Sequence, residues 1–243
     1  YGTQYVREVG WLRDWQEAHR NRMMLVGGAQ VLPKIELLHR CIASTQVMML
    51  GGVIGQTLLA AKDLNLQEST VEFGAIESAR NLLAEAGVLG CRIHLPRDIV
   101  ASTLEGHIAV RRPHQLRPGE MAQDLGPLTL ETWVRVINEP RALIWFGSVG
   151  AWEHIAFRNA TRTLAEALLM RHKTQPKALT LVGGNGLLQA LGELEMFNTL
   201  QAAGVHLSTG GGALQHALGG TIIAGLEAPQ GSPFHNAEVY APL

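Results

Sequence analysis

Three features of the 243-residue sequence predict an α/β fold: a parallel sheet with helices on both faces. Short apolar runs end in glycine-rich turns, and helix-period segments follow them, repeatedly along the chain. The runs are near-continuous in apolar residues rather than alternating, the pattern of strands buried on both faces. Four of the turns carry two or more consecutive glycines. Strands that alternate with helices form parallel sheets through right-handed crossovers, which gathers every strand-to-helix turn at one edge. Open α/β sheets bind ligands at that edge.

The elements follow in order. YVREVGWLRDWQEAHR (5–20) has Val6, Val9, Leu12 and Trp15 at the spacing of one helix face, and precedes the first strand. MMLVGGA (23–29) reads as a strand and turn before the helix VLPKIELLHRCI (31–42), and VMMLGG (47–52) as the same before VIGQTLLAAK (53–62). VEFGAIESARNLLAEAG (71–87) reads as a helix leading to the strand CRIHLP (91–96). The stretch 104–123 holds Pro113, Pro118 and Gly119 and predicts short, less regular strands. ALIWFGSVG (142–150) precedes the helix IAFRNATRTLAEALLMRH (155–172), ALTLVGG (178–184) precedes LLQALGEL (187–194), and VHLSTGGG (205–212) precedes ALQHAL (213–218). We read residues 1–20 as a leading helix and 21–243 as a single domain.

Composition narrows the function. Hydrophobic residues make up 47% and charged residues 17%, the balance of a globular domain rather than a disordered chain. A formal net charge of −1 argues against nucleic acid or an anionic membrane as the main partner, and Arg111, Arg112 and Arg117 sit among prolines in an expected solvated loop. No apolar stretch approaches the roughly 18 residues of a membrane span, and no leader pattern is visible. Two cysteines, Cys41 and Cys91, are too few to staple the domain; buried thiols in a reducing, cytoplasmic setting are expected. The ten histidines show no metal-ligand spacing, so no metal residue is assigned. The first residue is Tyr1 rather than Met, and a piece of something longer is expected.

The glycine turns are the first candidates for chemistry. A helix N-terminus offers unpaired N–H groups and partial positive charge to an oxyanion, and glycine lets a phosphate approach the backbone. Gly183, Gly184, Asn185 and Gly186 form one such turn; Gly210, Gly211 and Gly212, after the hydroxyl of Thr209, form another. Each is also what a tight strand-to-helix joint needs sterically. Neither fits the dinucleotide-binding or Walker fingerprint. Lys34 can serve an anion at the sheet edge or be an ordinary exposed lysine. Glu153 can accept from sugar hydroxyls or be a helix-start acid. Trp145, Phe146 and Trp152 can stack on a base or pack the core.

In order along the chain, GGAQVLPKI (27–35), LGGVIGQTLLAA (50–61), LPRDIVAS (95–102), DLGPLT (124–129), WFGSVGAWEHIAFRNAT (145–161), LVGGNGLLQAL (181–191) and HLSTGGGA (206–213) resemble GGAKVSDKI, GGGMAFTFLKA, LPVDVVVAD, DIGPKT, WNGPMGVFEMEPFAKGT, VGGGDSAAAV and HISTGGGA of the phosphoglycerate kinase family. The resemblance runs from about residue 5 to 218, is to the C-terminal, nucleotide-binding domain, and includes the family's interdomain helix in the leading segment. It implies a Rossmann-like three-layer sandwich with a six-stranded, mainly parallel sheet that binds ADP or ATP across its glycine edge. Carried over by position, Lys34 would bind phosphate and Glu153 the ribose; Gly27, Gly28, Gly51, Gly52 and Ala122 would shape the base and sugar pocket; the helix starts at Gly184 and Gly211 would face the transferring phosphoryl group.

The departures lie at charge-handling positions. The family lysine of GGAK is Gln30, the aspartate of GGGDS is Gly186 with Leu187 after it, the Asn of WNGP is Phe146, and the aspartate before Lys34 is Pro33. The aspartate is a magnesium ligand in the family, and glycine cannot hold a metal. The family's 3-phosphoglycerate site lies on an N-terminal basic domain, outside the matched region. The resemblance thus leaves two readings: a nucleotide-binding half, partnered by a missing N-terminal domain or another protein, whose reversible phosphoryl transfer between 1,3-bisphosphoglycerate and ADP is impaired or absent; or a catalytically dead scaffold with weak or no nucleotide binding.

Overall fold

The computed structural model describes residues 3–18, 21–209 and Leu218. A six-stranded sheet forms the centre: β1 (Arg22–Val26), β2 (Val47–Leu50), β3 (Arg92–His94), and, after an excursion through β4 (Ile99–Ser102), β5 (Ile108–Arg111) and β6 (Met121–Leu125), the strands β7 (Ala142–Phe146), β8 (Leu179–Gly183) and β9 (His206–Ser208). The order is β3-β2-β1-β7-β8-β9, and every pairing is parallel, as the apolar runs predict.

Eight helices cover it among the described residues: α1 (Thr3–Glu17), α2 (Val31–Cys41), α3 (Gly52–Ala61), α4 (Ile76–Leu89), α5 (Pro127–Val136), α6 (Asn159–Thr174), α7 (Asn185–Glu193) and α8 (Phe197–Ala202). Successive strand residues point to opposite faces, so each apolar run serves two cores. Met24, Val26, Met48, Leu50, Ile144 and Phe146 pack with α1 to α4. Met23, Leu25, Val47, Met49, Leu143 and Trp145 pack with α5 to α8.

The leading helix packs the described part of its predicted face, Leu12 and Trp15, inward and adds Trp11 and Ala18 to it. Trp11, Trp15 and Ala18 are buried and Leu12 packs against them in part, while the side chains of Val6 and Val9 lie outside the described residues. The Trp11 and Trp15 rings stack at 5.5 Å, and the Arg22 guanidinium lies 5.2 Å over Trp15. Aromatic area draws the helix onto its tryptophan side.

Two helices begin later than their periodicity suggests. α4 starts at Ile76, after a 3-10 turn at Phe73–Ala75, because Glu72 is drawn away: its carboxylate accepts from the Val31 and Leu32 amides at 2.7 and 3.2 Å, and its amide donates to Thr57 Oγ1. α6 starts at Asn159, where the Asp124 carboxylate accepts from the Ala160 amide at 3.0 Å.

The proline-rich stretch forms an antiparallel sheet, β5-β4-β6, over a small core of Leu59, Leu66, Ile99, Ala101 and Leu116. One member of its arginine group is ion-paired and half-buried: Arg111 donates from Nε and Nη2 to the buried Glu120 carboxylate. Cys41 and Cys91 are free and buried, and burial pushes both thiols up to about 11. No helix among the described residues is long and apolar enough to cross a membrane.

Arg171, fully buried on α6, ties the end of α5 to the start of β7. Nη1 donates to the Ile137 carbonyl at 2.7 Å, and Nη2 to those of Pro140 and Arg141 at 2.6 and 3.0 Å. Burial lowers its pKa to about 10, so it stays charged at neutral pH. Arg171→Met removes the donors to the Ile137 and Pro140 carbonyls, while that of Arg141 keeps the Leu179 amide at 3.0 Å, and is expected to cost about 2 kcal/mol or more in denaturant unfolding; an unchanged midpoint would show that the staple contributes nothing.

Candidate functional site

Strand order determines where the molecule opens. The chain winds outward from β1 through β2 to β3, returns to β7 on the other flank of β1, and winds outward again through β8 to β9. β1 and β7 are therefore the topological switch point, where the turns diverge and leave a crevice.

Backbone contacts draw those turns together. The Gly27 amide donates to the Phe146 carbonyl at 2.7 Å, Gly28 to Ser148 at 2.5 Å and Gly52 to Val149 at 3.0 Å. A Cβ on Gly27 would lie 2.2 Å from the Ser148 oxygen, so no other residue fits there. Gly52, at φ 56°, opens α3 with the Gly28 nitrogen 2.8 Å from where its own Cβ would be.

A cleft of about 210 Å³ opens beside this junction. Gly28, Ala29, Gly52, Val53 and Gln56 line one side, Thr70, Ala122 and Gln123 another, and Ser148, Gly150, Ala151 and Glu153 the third. Four sequence-predicted positions, Gly28, Gly52, Ala122 and Glu153, thus meet in one cavity although they lie on four different turns and strands. Gly27 and Gly51 are buried behind the wall.

The other predicted residues among those described do not line the cleft. Gly183 ends β8 against the Phe146 ring; Gly184, at φ 102°, is the N-cap of α7; Asn185 and Gly186 are exposed in its first turn, none of them in the cleft lining. Gln30 caps α2 in a left-handed conformation and is exposed. Gly210, Gly211 and Gly212 lie outside the described residues. Trp145, Phe146 and Trp152 are core residues, and the buried Phe146 ring does not reach the cleft lining.

Lys34, half-buried on α2, stands against the wall: its Nζ donates to the carbonyl of the lining residue Ala29 and would lie 3.0 Å from a Cβ on Gly28. Burial lowers its pKa to about 8, opposed by the Glu72 carboxylate. Asp124 lies under the cleft floor, next to Gln123. Its Oδ1 accepts from its neighbour Leu125's amide at 2.9 Å and its Oδ2 from Ala160. Burial pushes its carboxyl up to about 7, against the pull of those two bonds. Among the described residues no three His, Cys, Asp or Glu side chains group to hold a metal, and Gly186 offers no side-chain ligand.

Sequence reasoning missed Ala29, Val53, Gln56, Thr70, Gln123, Ser148, Gly150 and Ala151. Gln56 was within reach, four residues after Gly52 and so on the same helix face. Gln123 adjoins Ala122 on β6, and Ser148 to Ala151 lie in the turn that carries Glu153. Thr70 sits in the irregular link between α3 and α4, where no pattern marks it.

The fold and crevice define a doubly wound α/β domain with its cavity at the switch point. The family model for phosphoglycerate kinase matches residues 1–221. Curated relatives named phosphoglycerate kinase are 32% identical over 209 residues in Chloroflexus aggregans and 33% over 224 in Thermomicrobium roseum, covering 85% and 90% of this chain. A structure of phosphoglycerate kinase from Coxiella burnetii superposes with a TM-score of 0.79 over 89% of this chain at 27% identity. The chain belongs to the phosphoglycerate kinase family. It spans about half the length of those relatives, 51% and 55% of the two curated chains and 55% of the solved one.

Asp124 gives the site a pH signature. Its folded pKa of about 7 exceeds the ordinary 3.8, so between these values the folded state binds the proton more tightly than the unfolded chain. Its contribution is full below pH 3.8 and lost as pH rises through about 7. Thermal melts should show Asp124→Asn losing less stability than the parent between those pH values; parallel profiles would contradict the assignment.

Proposed function

We propose that this chain is a phosphoglycerate kinase-type nucleotide domain that binds an adenine nucleotide in the cleft beside Gly28 and Gly52 and does not complete phosphoryl transfer by itself. One observation carries the reading: the cavity at the switch point is lined by Gly28, Gly52, Ala122 and Glu153, the positions that the family motifs assign to base and sugar. Glu153 is exposed at the rim, suited to ribose hydroxyls, and Ala122 and Val53 offer apolar surface to a base.

Transfer asks for more than a pocket. Phosphoryl transfer is catalysed by positioning and by neutralising charge that develops on the moving group. Gln30 and Gly186 stand where the family has a lysine and an aspartate, and removing one such group commonly costs on the order of 10²–10³ in rate. An acceptor half is a further requirement, supplied by the region of the longer relatives that this chain does not match.

Titration calorimetry with ADP tests the binding reading, with Ala151→Trp as the cleft-filling variant. The parent is expected to bind, and the variant, with an unchanged melting temperature, to bind at least about tenfold more weakly. Absence of heat from the parent at millimolar ADP would favour the scaffold reading. A Gln30→Lys, Gly186→Asp double variant restores the two missing side chains; magnesium-dependent ADP affinity is expected to appear in it, and its continued absence would show that the pocket has diverged further than these two positions.

A further inference from the structure

We propose that Asp124 is a positioning residue of the cleft: its protonated carboxyl acts as a hydrogen-bond donor toward Gln56 Oε1 across a cavity the size of one water, so that a side chain of the cleft wall follows pH. The inference concerns how the wall is held and does not depend on which ligand the cleft takes.

Gln56 is held at one end only. Its Nε2 donates to the Ala122 carbonyl at 3.3 Å; a carbonyl can only accept, so the amide nitrogen faces Ala122 and Oε1 is the end that needs a donor. That oxygen is buried and has no hydrogen-bond partner among the described residues. A buried acceptor without a donor is costly, and native structures rarely keep one.

A second, smaller cavity shows where the donor stands. It has a volume of about 10 Å³ and shares Gly52, Gln56 and Ala122 with the cleft lining. Gln56 and Asp124 are the only polar side chains in its wall. A buried water needs roughly 10–15 Å³ and at least two polar partners, so the space takes one water and these two side chains are its partners. Asp124 also abuts the cleft wall itself: a Cβ on the lining residue Gly150 would lie 2.2 Å from its Oδ1.

The surroundings favour the protonated carboxyl, the form that can donate. Of the elements packed against β6, β4 and α3 carry no ionisable side chain. At the start of α6, Arg158 pairs with Glu193 and Arg162 is exposed. Glu153 and His154, in the turn after β7, are exposed as well, and Glu120, just before β6, pairs with Arg111. Burial therefore outweighs the Ala160 and Leu125 amide bonds and pushes the carboxyl up to about 7. Below that pH the donors run in one direction, from Asp124 through the water to Gln56 and on to the Ala122 carbonyl, and each bond polarises the next. Above it the carboxylate has no proton to give, and its charge stands across the cavity from the oxygen end of the Gln56 amide, which loosens the bond to Ala122.

NMR of the intact chain without ligand tests this, with ¹⁵N–¹H spectra of side-chain amides and ¹³C spectra of carboxyls from about pH 5.5 to about pH 8.5. The Gln56 Nε2 resonances, assigned by their loss in Gln56→Leu, are expected to titrate with a single midpoint near 7, shared with the Asp124 carboxyl carbon. Asp124→Asn keeps a donor and carries no charge, so Gln56 is expected to hold its low-pH position throughout. Asp124→Ala removes the donor, and Gln56 is expected away from that position at every pH. Gln56 resonances that stay fixed while Asp124 titrates, or an Asp124 midpoint below about 5, would overturn the inference. The parent chain alone supplies both readings should an Asp124 variant fail to fold, and neither reading bears on whether ADP binds.

Discussion

The close approach of three backbone turns at the carboxyl ends of β1, β2 and β7 is the contact on which the rest of the molecule depends. Gly27, Gly28 and Gly52 donate to Phe146, Ser148 and Val149, and Gly147 donates to Gly183 at 3.3 Å, so the turns after four strands form one hydrogen-bonded rim. A side chain at Gly27 would collide with the Ser148 carbonyl, and one at Gly52 with the Gly28 amide. The strand order brings these turns together, the absence of side chains lets them touch, and the cleft lies where they diverge.

Shape and charge are separable in such a site. The cradle is made of backbone and follows from glycine placement and topology, both of which this chain shares with its family. Charge handling is a matter of individual side chains, which can change without disturbing the rim: Gln30 and Gly186 are both exposed, and a Cβ on Gly186 would meet only the Trp152 indole nitrogen, at 3.8 Å, among the described residues. Lys34 shows the same separation from the other side, keeping its position in sequence while its ammonium serves the Ala29 carbonyl.

Much of the fold was legible in the sequence because one signal wrote it. Runs such as MMLV and ALIW are apolar at every position because both sides of those strands are buried, and each is a strand of the parallel sheet. Helix starts were less legible because distant carboxylates set them: Glu72 leaves its own segment to cap α2, and Asp124 reaches from β6 to α6. At the site, glycines announced the turns, yet strand order decides which turns meet, and no local pattern encodes that order. Gly28 and Gly52 line the crevice, whereas the equally conspicuous Gly184, whose Cβ would lie 3.3 Å from the Gly147 nitrogen, and Gly186 do not. Thr70 and Gln123 reach the cleft from an irregular link and an antiparallel excursion, the two places where periodicity is weakest.

Mapping amide chemical-shift changes by ¹⁵N–¹H NMR as ADP is added tests the central claim most directly, because it locates the ligand without assuming its affinity. The largest changes are expected at Gly28, Gly52, Gln123, Gly150 and Ala151. Changes centred on Asn185 and Gly186 instead, with those five amides unmoved, would contradict the account.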